Sequence, residues 1–427
     1  MRRAQNNSKL KIKKSKLVVL LLNWFSQNAR DLPWRRTRDP YAIWVSEIML
    51  QQTQVKTVIP YWKRWMRELP TIEATASASP DKIHKLWEGL GYYTRVRNLQ
   101  KAARQIGEKH DDKFPDDFDD VLALPGIGRY TAGAICSIAF NQPKPILDGN
   151  VIRVLTRVFG IGENPREKKT NAQLWQLAEE LVEHASRSIS RTRTRTKDED
   201  EETSACSHFN QSLMELGALV CTPRQPECPE CPVRKLCVAF QENRAAELPN
   251  LGRRTAATAR RFVAFVVERG GKFLVRQRPA GVVNAHLWEF PNVEIAPNQR
   301  SSPAKRDESA HYSCKNSQSR LTSAATVQEP DLEIIRAAKS LGIEPPTLQP
   351  LCTVKHSITR YRITLEAFRV QLGRRSSTTP KNFGPRKARP PENNGVWLTP
   401  AQLQPLAFAS AHKKLASAAT DCILSGR

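Results

Sequence analysis

The sequence predicts two domains of different class, a mainly helical one followed by an α+β one, on three observations. The chain has 427 residues, more than a single hydrophobic core ordinarily serves. From Leu17 to about Ala239, apolar residues recur at three- and four-residue steps, as in YAIWVSEIMLQQTQVKTVIPYWKRW and KIHKLWEGLGYYTRVRNLQKAARQI, without strand alternation. After residue 259 the texture changes. FVAFVVERGGKFLVRQRP alternates around Arg269-Gly270-Gly271, a hairpin signature, and RYRITLEAFRVQL also reads as a strand.

The elements follow in order. Residues 1–16 hold seven basic residues and no acidic one. The apolar run after them, Leu17 to Leu22, is short and has no small-residue cleavage site, so the start reads as a basic arm leading into a first helix and not as a signal peptide. The helical domain is expected at 17–240. Its low-complexity insert, 186–207, carries Arg191, Arg193, Arg195 and Lys197 before five consecutive acids, Asp198 to Glu202, and is expected to be a mobile loop. A linker is expected at 241–258 and the α+β domain at 259–415, with the polar stretches 296–328 and 374–393 disordered.

Formal net charge is +25 and the pI about 9.9. That excess points to a polyanionic partner, most simply nucleic acid. No run approaches the roughly 20 apolar residues of a membrane-spanning helix. Of nine cysteines, four fall within seventeen residues: Cys221, Cys228, Cys231 and Cys237. Such a cluster reads as a metal site in a reducing compartment. Structural zinc more often uses two Cys-x2-Cys pairs, whereas iron–sulfur clusters need only one close pair.

In LPGIGRYTAG (124–133), Gly126 and Gly128 would turn backbone N–H groups outward at a helix start, a place for a DNA phosphate. Asp148, in PILDGNVIRV, is a good N-cap, and a helix N-terminus also favours an ionised carboxylate. Glu47 lies in apolar IWVSEIML, where burial raises a carboxyl pKa. A protonated Glu beside an ionised Asp is the pattern of acid-assisted cleavage at an anomeric carbon. Spacing alone does not bring the two together, and a Glu47 satisfied by Arg35 or by a backbone group is the simpler reading.

Taken together, LPGIGRYTAG, the aspartate of LDGN and the cysteine spacing resemble the helix-hairpin-helix DNA glycosylases of the endonuclease III superfamily. More narrowly, LPWRRTRDPYAIWVSEIMLQQTQV, GLGYYTRVRNL and FNQSLMELGALVCTP resemble the MutY-type adenine DNA glycosylases. The resemblance implies a helix-hairpin-helix domain whose four cysteines hold a 4Fe–4S cluster. It implies that Glu47 protonates adenine N7, that Asp148 stabilises the sugar cation, and that Tyr130 and Asn150 hold that carboxylate and the water. Trp34, Arg35, Leu50 and Gln211 are implied for the adenine pocket, and Gln52 and Tyr92 for the wedge that fills the gap left by the extruded base. Relatives that cut the backbone carry a lysine where Tyr130 stands. A tyrosine cannot form the imine, so the Schiff-base route is closed.

VVNAHLWEFPNVE likewise resembles the opening of a Nudix domain. Its following helix, in LEIIRAAKSLGI, has one carboxylate, Glu333, too few for a magnesium-held pyrophosphatase. In this family such a domain reads 8-oxoguanine. The family's H-T-F-S-H reading loop is here His356-Ser357-Ile358-Thr359-Arg360, in which Thr359 keeps a hydroxyl in place of the family's serine while the phenylalanine and the second histidine are gone. The implied substrate is double-stranded DNA with A:8-oxoguanine or A:G mispairs. The implied enzyme is a monomer off the membrane, in a bacterial cytoplasm on the nucleoid or in a eukaryotic nucleus or mitochondrion. Tyr130 and the Nudix-like domain argue against an oxidised-pyrimidine glycosylase with lyase activity. Glu47 and Asp148 argue against an inactive DNA-binding homologue, and the missing glutamates against a nucleotide hydrolase.

Overall fold

The computed structural model describes residues 2–190, 204–253, 256–296, 332–343, 348–358, 360–372 and 395–424. The expected disordered stretches and the centre of the 186–207 insert lie outside the described residues. The chain divides into two compact units, Met1–Arg254 and Thr255–Arg427.

The first unit is helical: α1 (Arg2–Asn28), α2 (Pro40–Leu50), α3 (Val55–Glu68), α4 (Ile72–Ser77), α5 (Pro80–Trp87), α6 (Thr94–His110), α7 (Phe118–Leu122), α8 (Arg129–Phe140), α9 (Gly149–Phe159), α10 (Lys168–Ser190), α11 (Ala205–Leu219) and α12 (Val238–Gln241). Local chemistry sets the starts. Asp39, Thr71, Ser79, Asp117 and Asp148 each accept an N–H of the first turn, and Pro40 and Pro80 occupy positions where their missing N–H costs nothing. One core joins Leu17, Val18 and Leu21 of α1 to Val151, Val154 and Leu155 of α9, Leu174 and Leu181 of α10, and Phe209 and Leu213 of α11.

Two boundaries differ from expectation. The basic arm is not separate: it is the start of α1, because its lysines find partners on the helical unit. Lys13 Nζ donates to the Val158 carbonyl at 3.0 Å and lies 4.9 Å from the Phe159 ring centre, while Lys14 pairs with Glu180. The expected linker is likewise packed down over part of its length. Arg157 Nε donates to the Leu248 carbonyl at 2.9 Å, and Asn250 Nδ2 to that of Gly162 at 3.2 Å.

The hairpin joining α7 to α8 is LPGIG. Gly126 sits at φ +81°, and a Cβ there would stand 2.6 Å from the Asn98 Cβ, so this turn needs glycine. Gly128, the N-cap of α8, has ordinary extended backbone with open space where a Cβ would go, and no side chain caps the helix.

The second unit is a mixed sheet of β1 (Thr258–Arg269), β2 (Lys272–Gln277), β3 (Trp288–Glu289), β4 (Asn292–Ile295), β5 (Gln349–Ile358), β6 (Tyr361–Gln371) and β7 (Val396–Leu398), with helices α13 (Leu332–Ser340), α14 (Pro400–Leu403) and α15 (Ser410–Leu424). The path is β3-β2-β1-β6-β5, with β4 on β1 and β7 on β2. The β1–β2 hairpin forms where expected, Arg269 opposite Lys272, with Gly270 and Gly271 both at positive φ as a two-residue turn requires. β1 is buried on both faces because β6 pairs with it in parallel and helices cover both sides. Val263, Phe265 and Val267 meet Ile334, Ala337 and Ala338, while Ala264 and Val266 meet Phe290, Phe408 and Leu415.

Candidate active site

Nearly every residue of α2 is buried, and Glu47 with it, at 5% exposure. α8 brings Tyr130 opposite, and its phenol donates to Glu47 Oε2 at 2.9 Å while touching Met214 Sδ at 3.3 Å. Asp148 caps α9, accepting from Val151 N at 2.7 Å. Asn150 Nδ2 donates to the other carboxylate oxygen at 3.1 Å, and Arg153 fixes that amide from behind, 2.8 Å from Asn150 Oδ1. Arg153 also donates to the Cys221 carbonyl at 2.7 Å, tying α9 to the start of the cysteine loop. Glu47, Tyr130, Asp148 and Asn150 line one cleft of about 630 Å³.

The two carboxyls are unlike. Burial pushes Glu47 up to about 7, with the neighbouring Asp148 charge adding to it against the Tyr130 hydrogen bond and Arg35. Burial raises Asp148 as well, contrary to the expectation that the helix start would simply keep it ionised; the N–H groups of Val151 and Asn150, the Asn150 amide and Arg153 oppose the shift. Asp148 accepts from Val151 N and Asn150 Nδ2, contacts that favour its ionised form, whereas Glu47 accepts from the Tyr130 phenol. Tyr130, raised by burial and by both carboxylates, stays a neutral donor. Its partner is Glu47, whereas the expectation had it holding Asp148.

Arg35 does not satisfy Glu47. It pairs with Glu215 at 3.1 and 3.0 Å, and Arg30 grips the same carboxylate at 2.8 and 2.7 Å. Burial would raise Glu215, but the Arg30 and Arg35 hydrogen bonds hold it down at about 2. Sequence reading missed this third acid on the cleft wall; its place four residues after Gln211 on α11 was the available signal.

The other expected pocket residues converge as well. Trp34 is buried against the edge of Trp62, Gln211 donates to Ser207 Oγ at 3.0 Å, and both line the cleft with Leu50, Gln52 and Gly128. Tyr92 and Gly126 are not part of its lining. Tyr92 is 43% exposed on a neighbouring loop, and Tyr93 beside it is a core residue at 3%. Thr359 lies outside the described residues.

Cys221, Cys228, Cys231 and Cys237 converge on a separate cavity of about 20 Å³, lined also by Val154 and Leu216. None of the four is in a disulfide. Burial raises Cys228, Cys231 (to about 12) and Cys237, and Arg157 NH1 stands 3.3 Å from Cys221 Sγ.

In the second unit, Glu333 is engaged by Arg261 at 3.3 Å, and Glu366 by the same guanidinium at 2.8 Å. Glu289 is buried between Arg276 and Arg278. The carboxylate that a Nudix magnesium site would need is thus ion-paired. His356 and Ser357 belong to β5, and with Ile358 opposite Tyr361 the expected reading loop is the tip of the β5–β6 hairpin. Among the described residues His356 Nδ1 has no hydrogen-bond partner.

Comparison with known proteins agrees with both units. Residues 45–180 match the HhH-GPD superfamily of base excision DNA repair proteins, and 262–418 match the NUDIX domain. An adenine DNA glycosylase of Homo sapiens is 35% identical over 450 residues, covering 92% of this chain and 72% of that one. The chain belongs to the adenine DNA glycosylase family. Its relative from Rattus norvegicus is 40% identical over 69% of this chain, which spans 63% of that protein's length; one from Buchnera aphidicola (Schizaphis graminum) is 37% identical over 64% and 74%. Among solved structures, a thermostable thymine-DNA glycosylase is 29% identical over 54% of this chain and 97% of that one, with a TM-score of 0.46. In this family's terms the first unit is the helix-hairpin-helix domain and the second the Nudix-like one.

Proposed function

We propose that this chain hydrolyses the N-glycosidic bond of adenine mispaired with 8-oxoguanine, or with guanine, and stops at the abasic site. The observation that carries the reading is the pairing of a protonatable Glu47, capped by Tyr130, with a hydrogen-bonded Asp148 on one cleft. Glu47 delivers its proton to the base, making adenine a neutral leaving group. Asp148 faces the developing sugar cation, held by Asn150 and the first turn of α9. Acid catalysis of this kind is worth roughly 10²–10⁴-fold. Trp34, Arg35, Leu50 and Gln211 shape the pocket around the extruded base. Gln52 and Tyr92 fill the gap it leaves, which offsets an unstacking cost of a few kcal/mol.

The four cysteines fit a 4Fe–4S cluster. Buried thiols with raised pKa values become thiolates only against bound positive charge. All four thiols line one cavity. A single Cys-x2-Cys pair with two further cysteines suits an iron–sulfur cluster, whereas structural zinc more often uses two such pairs. Its contribution here is to crosslink the loop from Cys221 to Cys237. The Nudix-like unit serves as the reader of 8-oxoguanine, with Arg360 exposed at the hairpin tip beside the strand bearing His356. The enzyme acts as a monomer where its DNA is, on a bacterial nucleoid or in a eukaryotic nucleus or mitochondrion.

A single-turnover assay on A:8-oxoguanine, A:G and thymine-glycol duplexes, with and without alkali, tests the reading. Adenine duplexes should yield strand breaks only after alkali. Cleavage of thymine glycol, or breaks without alkali, would overturn it.

A further inference from the structure

Two non-glycine residues near the cleft hold left-handed backbone: Gln52, at φ +57°, in the loop between α2 and α3, and Tyr92, at φ +49°, in the loop between α5 and α6. Side chains rarely adopt that conformation unless their surroundings impose it. One side chain reaches both loops. Arg95 NH1 donates to the carbonyls of Ile48, Met49 and Gln51 at 2.9, 3.1 and 2.5 Å, and NH2 to those of Leu90 and Gly91 at 3.0 and 3.1 Å and to Thr53 Oγ1 at 3.4 Å. The same guanidinium lies 5.3 Å from the Trp87 ring centre and 5.5 Å from that of Tyr92.

These contacts have a common sense. Ile48, Met49 and Gln51 stand at the C-terminal end of the helix that bears Glu47, where carbonyls lack intrahelical donors. A cation there caps α2 and also faces its dipole. None of the six partners is a carboxylate, so the arginine is committed to loop geometry and not to a charge pair. It remains protonated at neutral pH although burial lowers it to about 10. Only a planar fork of donors can serve two loops at once; a lysine has one nitrogen.

We propose that Arg95 is a positioning residue that locks the Gln52 and Tyr92 loops into one rigid double wedge, so that both side chains enter the duplex in register. The inference rests on the reading of the chain as a base-extruding glycosylase. It assigns Arg95 no contact with the reacting atoms.

The test compares Arg95→Lys in two backgrounds, wild type and the double variant Gln52→Ala/Tyr92→Ala, by single-turnover excision from an A:8-oxoguanine duplex and by fluorescence of 2-aminopurine placed at the target position. In the wild-type background, excision and the extrusion signal should both fall at least tenfold, with the pH dependence of the remaining excision unchanged. In the wedge-less background, the same substitution should cost less than threefold, because there is nothing left to align. Arg95→Gln, whose amide likewise offers one donating nitrogen, on a shorter stem, should lose at least as much and stands in if the lysine variant does not fold. Equal losses in both backgrounds, a shifted pH profile, or no loss at all would overturn the proposal. A wild-type protein that extrudes 2-aminopurine yet excises no adenine would sink the glycosylase reading instead, and the fluorescence arm would still decide the role of Arg95.

Discussion

Glu47 shows how one residue's environment selects its chemistry. Its carboxyl is buried, raised to about 7 and hydrogen-bonded to a phenol that stays protonated. The sign of the linkage follows. A folded-state pKa above the unfolded 4.5 means that the fold binds the extra proton, so stability is lost as pH rises from about 4.5 through about 7. The shift corresponds to roughly 3 kcal/mol. Glu47→Gln should therefore raise the Tm at pH 8, leave it nearly unchanged at pH 4, and reduce excision by at least 10²-fold. A variant as active as wild type, or less stable at pH 8, would contradict the assignment. Tyr130 bears on what happens after excision. Tyr130→Lys should place an amine in the cleft and allow borohydride trapping on DNA, whereas the wild type should not trap. Trapping of both to the same extent would show that another amine does the chemistry.

At the scale of elements, what the sequence made legible depended on whether a signal was local. The helical texture, the hairpin at Gly270-Gly271 and the N-cap at Asp148 could be read because each is written in a few consecutive residues. The breaks at Gln51–Gln54 and Glu88–Tyr93 could not, since apolar spacing runs through both. They are held open by Arg95, whose partners are more than 40 residues away for one loop. For the same reason the Glu47–Tyr130 contact, across 83 residues, and the diversion of Arg35 to Glu215, across 180, were beyond spacing arguments. The family resemblance named Glu47, Tyr130, Asp148, Asn150 and the expected pocket residues of the cleft; only the fold said which touch. The hairpin before α8 separates two roles that the motif merges. Gly126→Ala should destabilise the first unit by about 1 kcal/mol or more, measured by thermal unfolding, because it strains a left-handed turn against Asn98. Gly128→Ala should leave stability unchanged and weaken duplex binding, because its Cβ would enter only the space at the open helix start. Equal destabilisation by both would mean that neither glycine is kept for DNA.

For the whole molecule, the tasks proposed above fall in different units. The cleft with its acids lies wholly in the first, while in the second Arg261 engages Glu333 at 3.3 Å. Deleting residues 259–427 should leave adenine excision in place and reduce the preference for A:8-oxoguanine over A:G, measured as the ratio of single-turnover rates. An unchanged ratio would assign lesion reading to the helical unit. The net charge of +25 belongs to the intact chain. Some of its basic side chains are spent inside, as Lys13, Lys14, Arg153 and Arg157 show, so the count overstates what is free to meet a phosphate backbone.

On the proposed mechanism a protonated Glu47 beside Asp148 drives adenine loss, so single-turnover excision on an A:8-oxoguanine duplex should follow the ionisation of Glu47 with pH. The rate should be highest below about pH 7 and then fall close to tenfold per pH unit as Glu47 ionises, with Glu47→Gln lacking that limb. A wild-type rate that stays level or rises between pH 7 and 9 would contradict the claim.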